Sequence, residues 1–251
     1  MNAITASHWP YPRWIAHRGA GKLAPENTLA AFRLGAQHGY RMFECDAKLS
    51  ADGVPFLLHD ATLERTTNGR GTGGDLPLGA LAQLDAGSWH SRAYAGEAVP
   101  TLEALARFCI ANGYFLNIEI KPTPGQEETT GRVVGETAAR LWQGQAVPPL
   151  FSSFKPDALA GAQATAAHIP RALLLDTLWD GCLDTARRLG CVAIVCNHAL
   201  WDAALVAQVK DMGMRTLSYT VNDDWAAQRL IALGTDGIIT DRVDLFSPAT
   251  P

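Results

Sequence analysis

The stretch Arg41–Asp60 reads RMFECDAKLSADGVPFLLHD and holds two strand-like runs. An Asp52-Gly53 pair separates the first run, Arg41–Asp46, from the second, Val54–His59. Asp-Gly between two such runs predicts a hairpin with a two-residue turn. Parallel neighbours need a crossover of about a dozen residues or more. The second run is therefore expected to be an antiparallel arm and not a further parallel strand.

Strand-like and helix-like segments alternate on both sides of this hairpin. The strand-like runs are Trp14–Ala16, Arg41–Asp46, Tyr114–Ile120, Leu150–Ser153, Arg171–Leu175, Val192–Cys196, Arg215–Val221 and Gly237–Thr240. The helix-like stretches are Asn27–His38, Thr101–Asn112, Glu127–Trp142, Pro156–Ala167, Asp180–Leu189, Ala203–Met212 and Asp224–Leu233. Strand then helix, repeated, predicts a parallel sheet covered by helices. Because about eight such strands close a (β/α)8 barrel, the sequence predicts one α/β domain of this type over residues 1–251.

The hairpin also has a predicted register. With a two-residue turn, Leu49 would pair with Phe56 and Asp46 with His59, which returns His59 to the level at which the second strand ends. The segment that follows is rich in Gly, Thr, Asp and Ser. We expect an insertion, from about residue 51 to 100, that crosses one mouth of the barrel.

Bulk properties exclude several classes of protein. The net charge of −4 argues against a nucleic-acid partner, which would require a basic face. No stretch approaches the roughly 18 apolar residues of a membrane span, so no stable membrane association is expected. Met1–Trp14 has no apolar core of the signal-peptide kind and is interpreted as a surface lead-in. Five cysteines without a CxxC pair favour reduced, buried thiols in a cytoplasmic protein.

Two carboxylates close the second strand-like run. Side chains alternate across a strand, so Glu44 and Asp46 share one face. Such a pair repels itself unless a cation or a shared proton lies between the two groups. Oxygen-only ligands favour Mg²⁺, Ca²⁺ or Mn²⁺ over zinc. The alternative is a pair of solvated surface acids.

Other charged side chains end neighbouring runs. Glu119 and Lys121 share a face, and they would form either a local contact on the barrel rim or a metal ligand beside a phosphate clamp. His17 and Arg18 end the first run, and the C-terminal ends of barrel strands face the catalytic mouth. Asn27 immediately precedes a helix, where its side chain could cap the helix or present its amide to a ligand.

The charges at these strand ends favour a phosphodiester as ligand. The three carboxylates, set against a divalent cation, Arg18 and Lys121, leave one net positive charge, which matches the single negative charge of a phosphodiester. Histidine titrates near neutral pH and serves as either a general acid or a general base. His17 and His59 are therefore the two candidate proton-transfer groups.

A set of short motifs spans residues 16–241 in order. They are Ala16–Gly19, Ala24–Thr28, Glu44–Ser50, Leu58–Asp60, Leu63–Thr66, Asn117–Pro122, Ser152–Phe154, Tyr219–Asn222 and Thr240-Asp241. Together they make the chain resemble the glycerophosphodiester phosphodiesterase family, and in particular its cytosolic bacterial members. The resemblance implies a (β/α)8 barrel of the phospholipase-C-like type with an insertion after the second strand.

The resemblance also implies a set of roles. Glu44, Asp46 and Glu119 would hold one divalent cation, Mg²⁺ or Ca²⁺, with Mn²⁺ as a further option. His17 and His59 would be the acid–base pair. Arg18 and Lys121 would hold the phosphate, and Asn27 is a further substrate-binding candidate. Tyr219 stands where many family members carry Trp, and it would form an aromatic wall of the glycerol pocket.

The expected reaction is hydrolysis of a small-molecule glycerophosphodiester, such as glycerophosphocholine or glycerophosphoethanolamine, to glycerol 3-phosphate and an alcohol. Most simply, His17 removes the proton of the nucleophile and His59 protonates the departing alcohol. Water and a glycerol hydroxyl both remain open as nucleophile. The main alternative is a lyase-type phospholipase relative that forms a cyclic phosphate from a lipid. A metal-dependent barrel aldolase and a non-catalytic binding module fit the motifs less well.

Overall fold

A computed structural model of the chain describes residues 9–248. The strands are β1 (Trp14–Ala16), β2 (Met42–Leu49), β3 (Pro55–Leu57), β4 (Phe115–Ile120), β5 (Leu150–Ser153), β6 (Arg171–Leu175), β7 (Ala193–Asn197), β8 (Arg215–Tyr219) and β9 (Gly237–Thr240). The α-helices are α1 (Leu29–Gln37), α2 (Leu78–Leu81), α3 (Leu102–Asn112), α4 (Glu127–Leu141), α5 (Pro156–Thr165), α6 (Cys182–Arg188), α7 (Ala203–Asp211) and α8 (Asp224–Leu233).

Eight of the strands close into a parallel barrel. The order around the sheet is β1-β9-β8-β7-β6-β5-β4-β2, and β2 pairs again with β1 to complete the ring. All of these pairings are parallel, whereas β3 pairs with β2 and runs antiparallel to it. The predicted (β/α)8 barrel and its antiparallel arm are therefore confirmed.

Two layers of apolar side chains hold the barrel together. One lies inside the ring of strands and includes Ile15, Met42, Leu174 and Leu217. The other lies between the outer faces of the strands and the helices, and it is the larger cluster. This division follows from the alternation of side chains along each strand, because successive residues point into and out of the barrel.

The segment before β1 is built into the barrel and does not lie on the surface. Tyr11 is 5% exposed, belongs to the interior cluster and donates a hydrogen bond of 3.0 Å from its hydroxyl to the Pro148 carbonyl. The interpretation of Met1–Trp14 as a surface lead-in is wrong from Tyr11 onward, because an aromatic side chain covers apolar atoms at the N-terminal end of the barrel. Residues 1–8 lie outside the described residues.

The hairpin differs from its predicted register by one residue. Ala47 pairs with Leu57 and Leu49 with Pro55, where Leu49 had been expected to pair with Phe56. A two-residue turn of type I′ requires a positive φ at both central positions. Only Gly53 has one, with φ +76°, so the loop contains three residues and closes through the Ser50 and Val54 backbones. The Asp46 backbone carbonyl therefore accepts a hydrogen bond from the Leu58 amide, and Asp46 does not pair with His59.

The insertion that follows has a small core of its own. Phe56, Leu58, Leu63, Leu81 and Val99 are buried together in it. The insertion ends where α3 begins, in agreement with the predicted limit near residue 100. No helix within residues 9–248 combines the length and apolar character needed to cross a membrane.

Candidate active site

The site begins where the barrel closes. Ala16 of β1 pairs with Thr240 of β9, so the residues that follow these two strands emerge side by side. His17 Nδ1 lies 2.6 Å from Asp241 Oδ1. Asn222 holds the same carboxylate by donating a hydrogen bond of 2.8 Å to Asp241 Oδ2. With Nδ1 engaged in this way, Nε2 is the ring nitrogen that faces the barrel mouth, 3.8 Å from a Glu44 oxygen.

The backbone next to His17 is strained. Arg18 has φ +50° and Asn27 has φ +60°, a left-handed region that non-glycine residues seldom adopt. Gly19 between them is required, since a Cβ atom there would lie 2.8 Å from atoms of Ala31 and Phe32. The Asn27 amide donates to the Arg18 carbonyl at 3.0 Å, which closes the loop. Strain of this kind concentrates at functional sites, and here the Arg18 side chain is held by Glu26 and Asp46.

Three carboxylates meet at the C-terminal ends of β2 and β4. Asp46 and Glu119 are partners in the register of these strands, and Glu44 lies one alternate position earlier on β2. Oxygen atoms of Glu44, Asp46 and Glu119 all lie within 4.8 Å of one another. All three side chains are almost completely shielded from solvent, with Glu119 the most exposed at 9%.

The cluster fits a divalent cation. Glu44 Oε1 and Asp46 Oδ1 are buried and accept no hydrogen bond from the described residues, and of the two oxygens Asp46 Oδ1 has the Lys121 charge nearby whereas Glu44 Oε1 has no partner. Buried carboxylate oxygens that lack donors are costly unless a positive charge reaches them. An all-oxygen set of three carboxylates is suited to Mg²⁺, Ca²⁺ or Mn²⁺.

Two fixed cations flank the middle carboxylate. Arg18 Nε lies 3.3 Å from Asp46 Oδ2, and Lys121 Nζ lies 3.3 Å from Asp46 Oδ1. Lys121 also donates to Glu119 at 2.9 Å. A third cation, Lys48, is buried just outside and donates to the Lys121 carbonyl at 3.2 Å. Burial and the nearby Lys121 charge lower the pKa of Lys48 to about 8.

The three carboxylates differ in their protonation. Burial, together with repulsion from its acidic neighbours, raises the pKa of Glu44 well above its ordinary value. The same two causes raise the pKa of Glu119 to about 7. Burial acts on Asp46 too, but the charges of Lys121 and Arg18 outweigh it and hold the pKa of Asp46 below the usual range. Without a cation, the cluster therefore shares protons, as expected for crowded carboxylates.

His59 reaches the same space from the other side. It follows the β3 arm, and its Nδ1 lies 2.7 Å from Asp60 Oδ1, so this histidine is also fixed by a carboxylate. Burial lowers the pKa of His59, which favours the neutral ring. His17 and His59 line one cavity of about 150 Å³ together with Glu44, Glu119 and Lys121.

One wall of this cavity is aromatic and aliphatic. Phe154 and Tyr219 pack edge to face with ring centroids 5.6 Å apart, and Leu174 lies beside them. The Tyr219 hydroxyl donates to the Leu175 carbonyl at 3.1 Å, which turns the ring and not the hydroxyl toward the cavity. This wall is of a size and polarity suited to the carbon backbone of a small ligand.

Asn27 takes a different place from the one expected. Thr28 is the helix cap, since its hydroxyl accepts from the Ala31 amide, so the capping role suggested for Asn27 is wrong. The Asn27 amide group donates to Asp46 Oδ2 at 2.8 Å, and its oxygen accepts from the Asp46 amide at 3.1 Å. One end of the side chain thus bonds to the Asp46 carboxylate and the other to the Asp46 backbone, and Asn27 is absent from the cavity wall.

Several polar groups around the site were not identified from the sequence. They are Glu26, Lys48, Asp60, Arg65, Asn222 and Asp241. All six stand in the quoted motifs, close to residues that were identified, and this proximity is the signal that could have found them. Their ionised groups add three negative and two positive charges around the site. Protonation of one of the two histidines restores the positive balance inferred from the sequence.

The comparison with known proteins identifies a family. A sequence model of the glycerophosphoryl diester phosphodiesterase family matches residues 17–245. The chain belongs to this family. It is accordingly an enzyme, a phosphoric diester hydrolase, and its acidic cluster is consistent with a divalent cation.

Individual relatives cover nearly the whole chain. The glycerophosphodiester phosphodiesterase of Caldanaerobacter subterraneus subsp. tengcongensis is 33% identical over 233 residues, 90% of this chain and 93% of its own. The Bacillus subtilis protein YhdW is 34% identical over 240 residues, 92% of this chain and 95% of its own. The solved structure of an Oleispira antarctica phosphodiesterase in complex with the product sn-glycerol-3-phosphate has a TM-score of 0.85 and 36% identity. It covers 92% of this chain and 93% of that chain.

Proposed function

We propose that the enzyme hydrolyses glycerophosphodiesters, such as glycerophosphocholine or glycerophosphoethanolamine, to glycerol 3-phosphate and an alcohol. One divalent cation, Mg²⁺, Ca²⁺ or Mn²⁺, would be held by Glu44, Asp46 and Glu119. His17 and His59 would be the acid–base pair. The observation that carries the proposal is that two carboxylate-oriented histidines line one cavity with Glu44 and Glu119. Asp46 lies in the same carboxylate cluster.

The choice of substrate is supported by the ligand of a relative. The Oleispira antarctica phosphodiesterase holds sn-glycerol-3-phosphate as its product. In this chain, the wall formed by Leu174, Phe154 and Tyr219 would contact the glycerol carbons. Arg18 and Lys121 lie beside the carboxylate cluster, where they would bind the phosphate oxygens.

The side chains then divide the chemistry. When bound, a divalent cation supplies Lewis-acid charge to a phosphoryl oxygen and to the oxygen nucleophile. Arg18 and Lys121 add fixed positive charge to the transition state, where charge on the equatorial oxygens is greatest. His17 would accept the proton of the nucleophile at Nε2, since Asp241 engages its Nδ1. His59, held by Asp60 in the same manner, would in its protonated form donate a proton to the departing alcohol, and its lowered pKa makes that form a stronger acid.

The setting of the enzyme is proposed from the same residues. One catalytic domain would span residues 1–251, with the insertion as part of it, because the insertion supplies His59. The five cysteines, all free and buried, support a reducing compartment. We therefore propose that the enzyme acts in the cytoplasm on a small diffusible substrate.

Turnover of glycerophosphocholine tests the proposal. Release of glycerol 3-phosphate should stop with a chelator and return on addition of Mg²⁺, Ca²⁺ or Mn²⁺. His17→Ala and His59→Ala should each lose about 10²–10⁴-fold in turnover while remaining folded. Release of a cyclic phosphate in place of glycerol 3-phosphate would support the lyase alternative. Absence of glycerol 3-phosphate with every cation would disprove the proposed function.

A further inference from the structure

We propose that Arg65 is a positioning residue that holds Arg18 and His59 in place at the same time. This inference rests on the proposed function, because it assigns those two residues their phosphate-binding and proton-transfer roles. Arg65 lies in the insertion, outside the cavity, and would act through the two carboxylates Glu26 and Asp60.

The guanidinium of Arg65 binds both carboxylates with two hydrogen bonds each. Toward Asp60 the distances are 2.6 Å from Nε to Oδ2 and 3.0 Å from Nη2 to Oδ1. Toward Glu26 they are 2.7 Å from Nη1 to Oε2 and 2.8 Å from Nη2 to Oε1. All three nitrogens of the group are therefore used, which is the paired fork geometry that only arginine provides.

Each of these carboxylates holds one residue of the site. Glu26 Oε1 accepts from Arg18 Nη1 at 2.9 Å, and Asp60 Oδ1 lies 2.7 Å from His59 Nδ1. The five side chains form one line of alternating charge, from Arg18 through Glu26, Arg65 and Asp60 to His59. Arg65 stands at its centre and links the two halves.

The line also joins two parts of the chain, which meet as well where His90 Nε2 lies 3.0 Å from the Lys22 carbonyl oxygen. Arg18 and Glu26 belong to the loop between β1 and α1, whereas His59, Asp60 and Arg65 belong to the insertion. Without Arg65, the two carboxylates would lie near each other with no cation between them, and each would be free to move with its partner. A misplacement of about 1 Å at a catalytic group can cost about 10²-fold in rate.

If Arg65 only stabilised the fold, its removal would lower thermal stability. The Arg65 side chain is 45% exposed, and exposed ion pairs contribute little to folding stability. Its removal should leave thermal unfolding and cation binding nearly unchanged, since Arg65 contacts none of the three clustered carboxylates. The loss should fall on turnover alone.

The test is a set of double-mutant cycles on glycerophosphocholine turnover. Arg65→Ala should lower kcat/KM about 10²-fold, and Arg65→Lys, which keeps the charge but not the fork, about 10-fold. In a His59→Ala or an Arg18→Ala background, Arg65→Ala should cost only about 10-fold, because one of the two groups it positions is already gone. Arg70→Ala is the matched control: this arginine lies in the same insertion, is exposed and forms no ion pair within residues 9–248, so activity should be unchanged.

A second measurement does not depend on turnover. In protein labelled with ¹⁵N-histidine, Arg65→Ala should move the ring signals of His59 and leave those of His17 in place. Wild-type turnover in Arg65→Ala, or the full loss persisting in both backgrounds, would overturn the positioning role. If the wild-type enzyme released no glycerol 3-phosphate while the His59 signals still moved, the proposed function would fail and the positioning role would stand. Unmoved His59 signals would refute the positioning role in either case.

Discussion

His17 Nδ1 lies 2.6 Å from Asp241 Oδ1, although the two residues are 224 positions apart in the chain. The contact exists because β9 and β1 are neighbours in the closed barrel. Glu44 lies on the other side of the His17 ring. The orientation of this ring is therefore set by the residue that follows the last strand of the fold.

Replacing Asp241 by Asn should lower kcat without removing the cation site. Asp241 holds the Nδ1 proton of His17, and an amide in its place would favour the wrong tautomer of the imidazole. We therefore expect kcat to fall by a factor approaching the 10²–10⁴-fold that a general base contributes. Glycerophosphocholine turnover would measure this loss. Cation affinity, measured by calorimetry, should stay within a few-fold of wild type.

Asp244→Asn is the control for this change. Asp244 is in the same C-terminal segment but pairs with Arg242 on the surface. Its activity should equal that of wild type. Equal losses in the two variants would show that Asp241 acts on the segment and not on His17.

Cation binding should weaken as the pH falls below about 7. The pKa of Glu119 is raised to about 7, chiefly by burial and then by Asp46, so the carboxyl is protonated in acid and ionised in base. A cation requires the ionised form and must displace the proton, so its apparent affinity is greatest above this pKa and is lost progressively below it. Calorimetry in buffers of different ionisation enthalpy would measure both the affinity and the protons released.

Glu119→Gln is the matched variant for this experiment. Above pH 7 it should bind the cation more weakly than wild type by at least about 10–100-fold, the range seen when even supporting groups of metal sites are lost. The difference should shrink as the pH falls, because Glu119 of the wild type is then itself protonated. The Glu119 pKa of about 7 lies inside the range from pH 6 to 8. A wild-type cation affinity that stays constant over this range would contradict the expected pH dependence.

Gly131→Ala should destabilise the fold, although alanine is normally the better helix former. Gly131 lies in α4 where it crosses α5, and a Cβ atom there would come 1.9 Å from the Ala158 carbonyl oxygen. Forcing such a contact costs about 1–3 kcal/mol of unfolding free energy. Urea unfolding would measure the loss. Gly79→Ala in α2, where a Cβ would meet nothing within 4 Å, should be neutral or slightly stabilising, and equal effects at the two glycines would refute the packing argument.

The five cysteines should not react in the folded protein. All are buried and unpaired, and burial raises the pKa of Cys191 and of Cys196 to about 12. An aromatic disulfide reagent at pH 8 should titrate no thiol rapidly in native protein and all five in urea, since the thiolate is the reactive form. One rapid thiol before unfolding would show that a cysteine reaches solvent.

Local patterns were sufficient for most of the fold. Four strands, among them Leu150–Ser153 and Gly237–Thr240, have the predicted limits, because a short apolar run between turn residues leaves little freedom. The hairpin register was wrong by one residue, because it depended on whether Asp52 adopts a positive φ, which the Asp-Gly pair alone does not decide. The helix start at Asn27 was wrong because that residue bonds to Asp46, a partner distant in the chain.

The sequence by itself determined which side chains end the barrel strands, since a period of two along each strand places Glu44 with Asp46 and Glu119 with Lys121 on common faces. It also determined the closed parallel barrel, through the repeated order of strand and helix. Only the tertiary structure decided which groups meet across strands and loops. Closure of the ring brings Asp241 to His17, and the folded insertion brings Arg65 and Asp60 to the mouth. Those contacts depend on distances between segments, which a one-dimensional pattern does not contain.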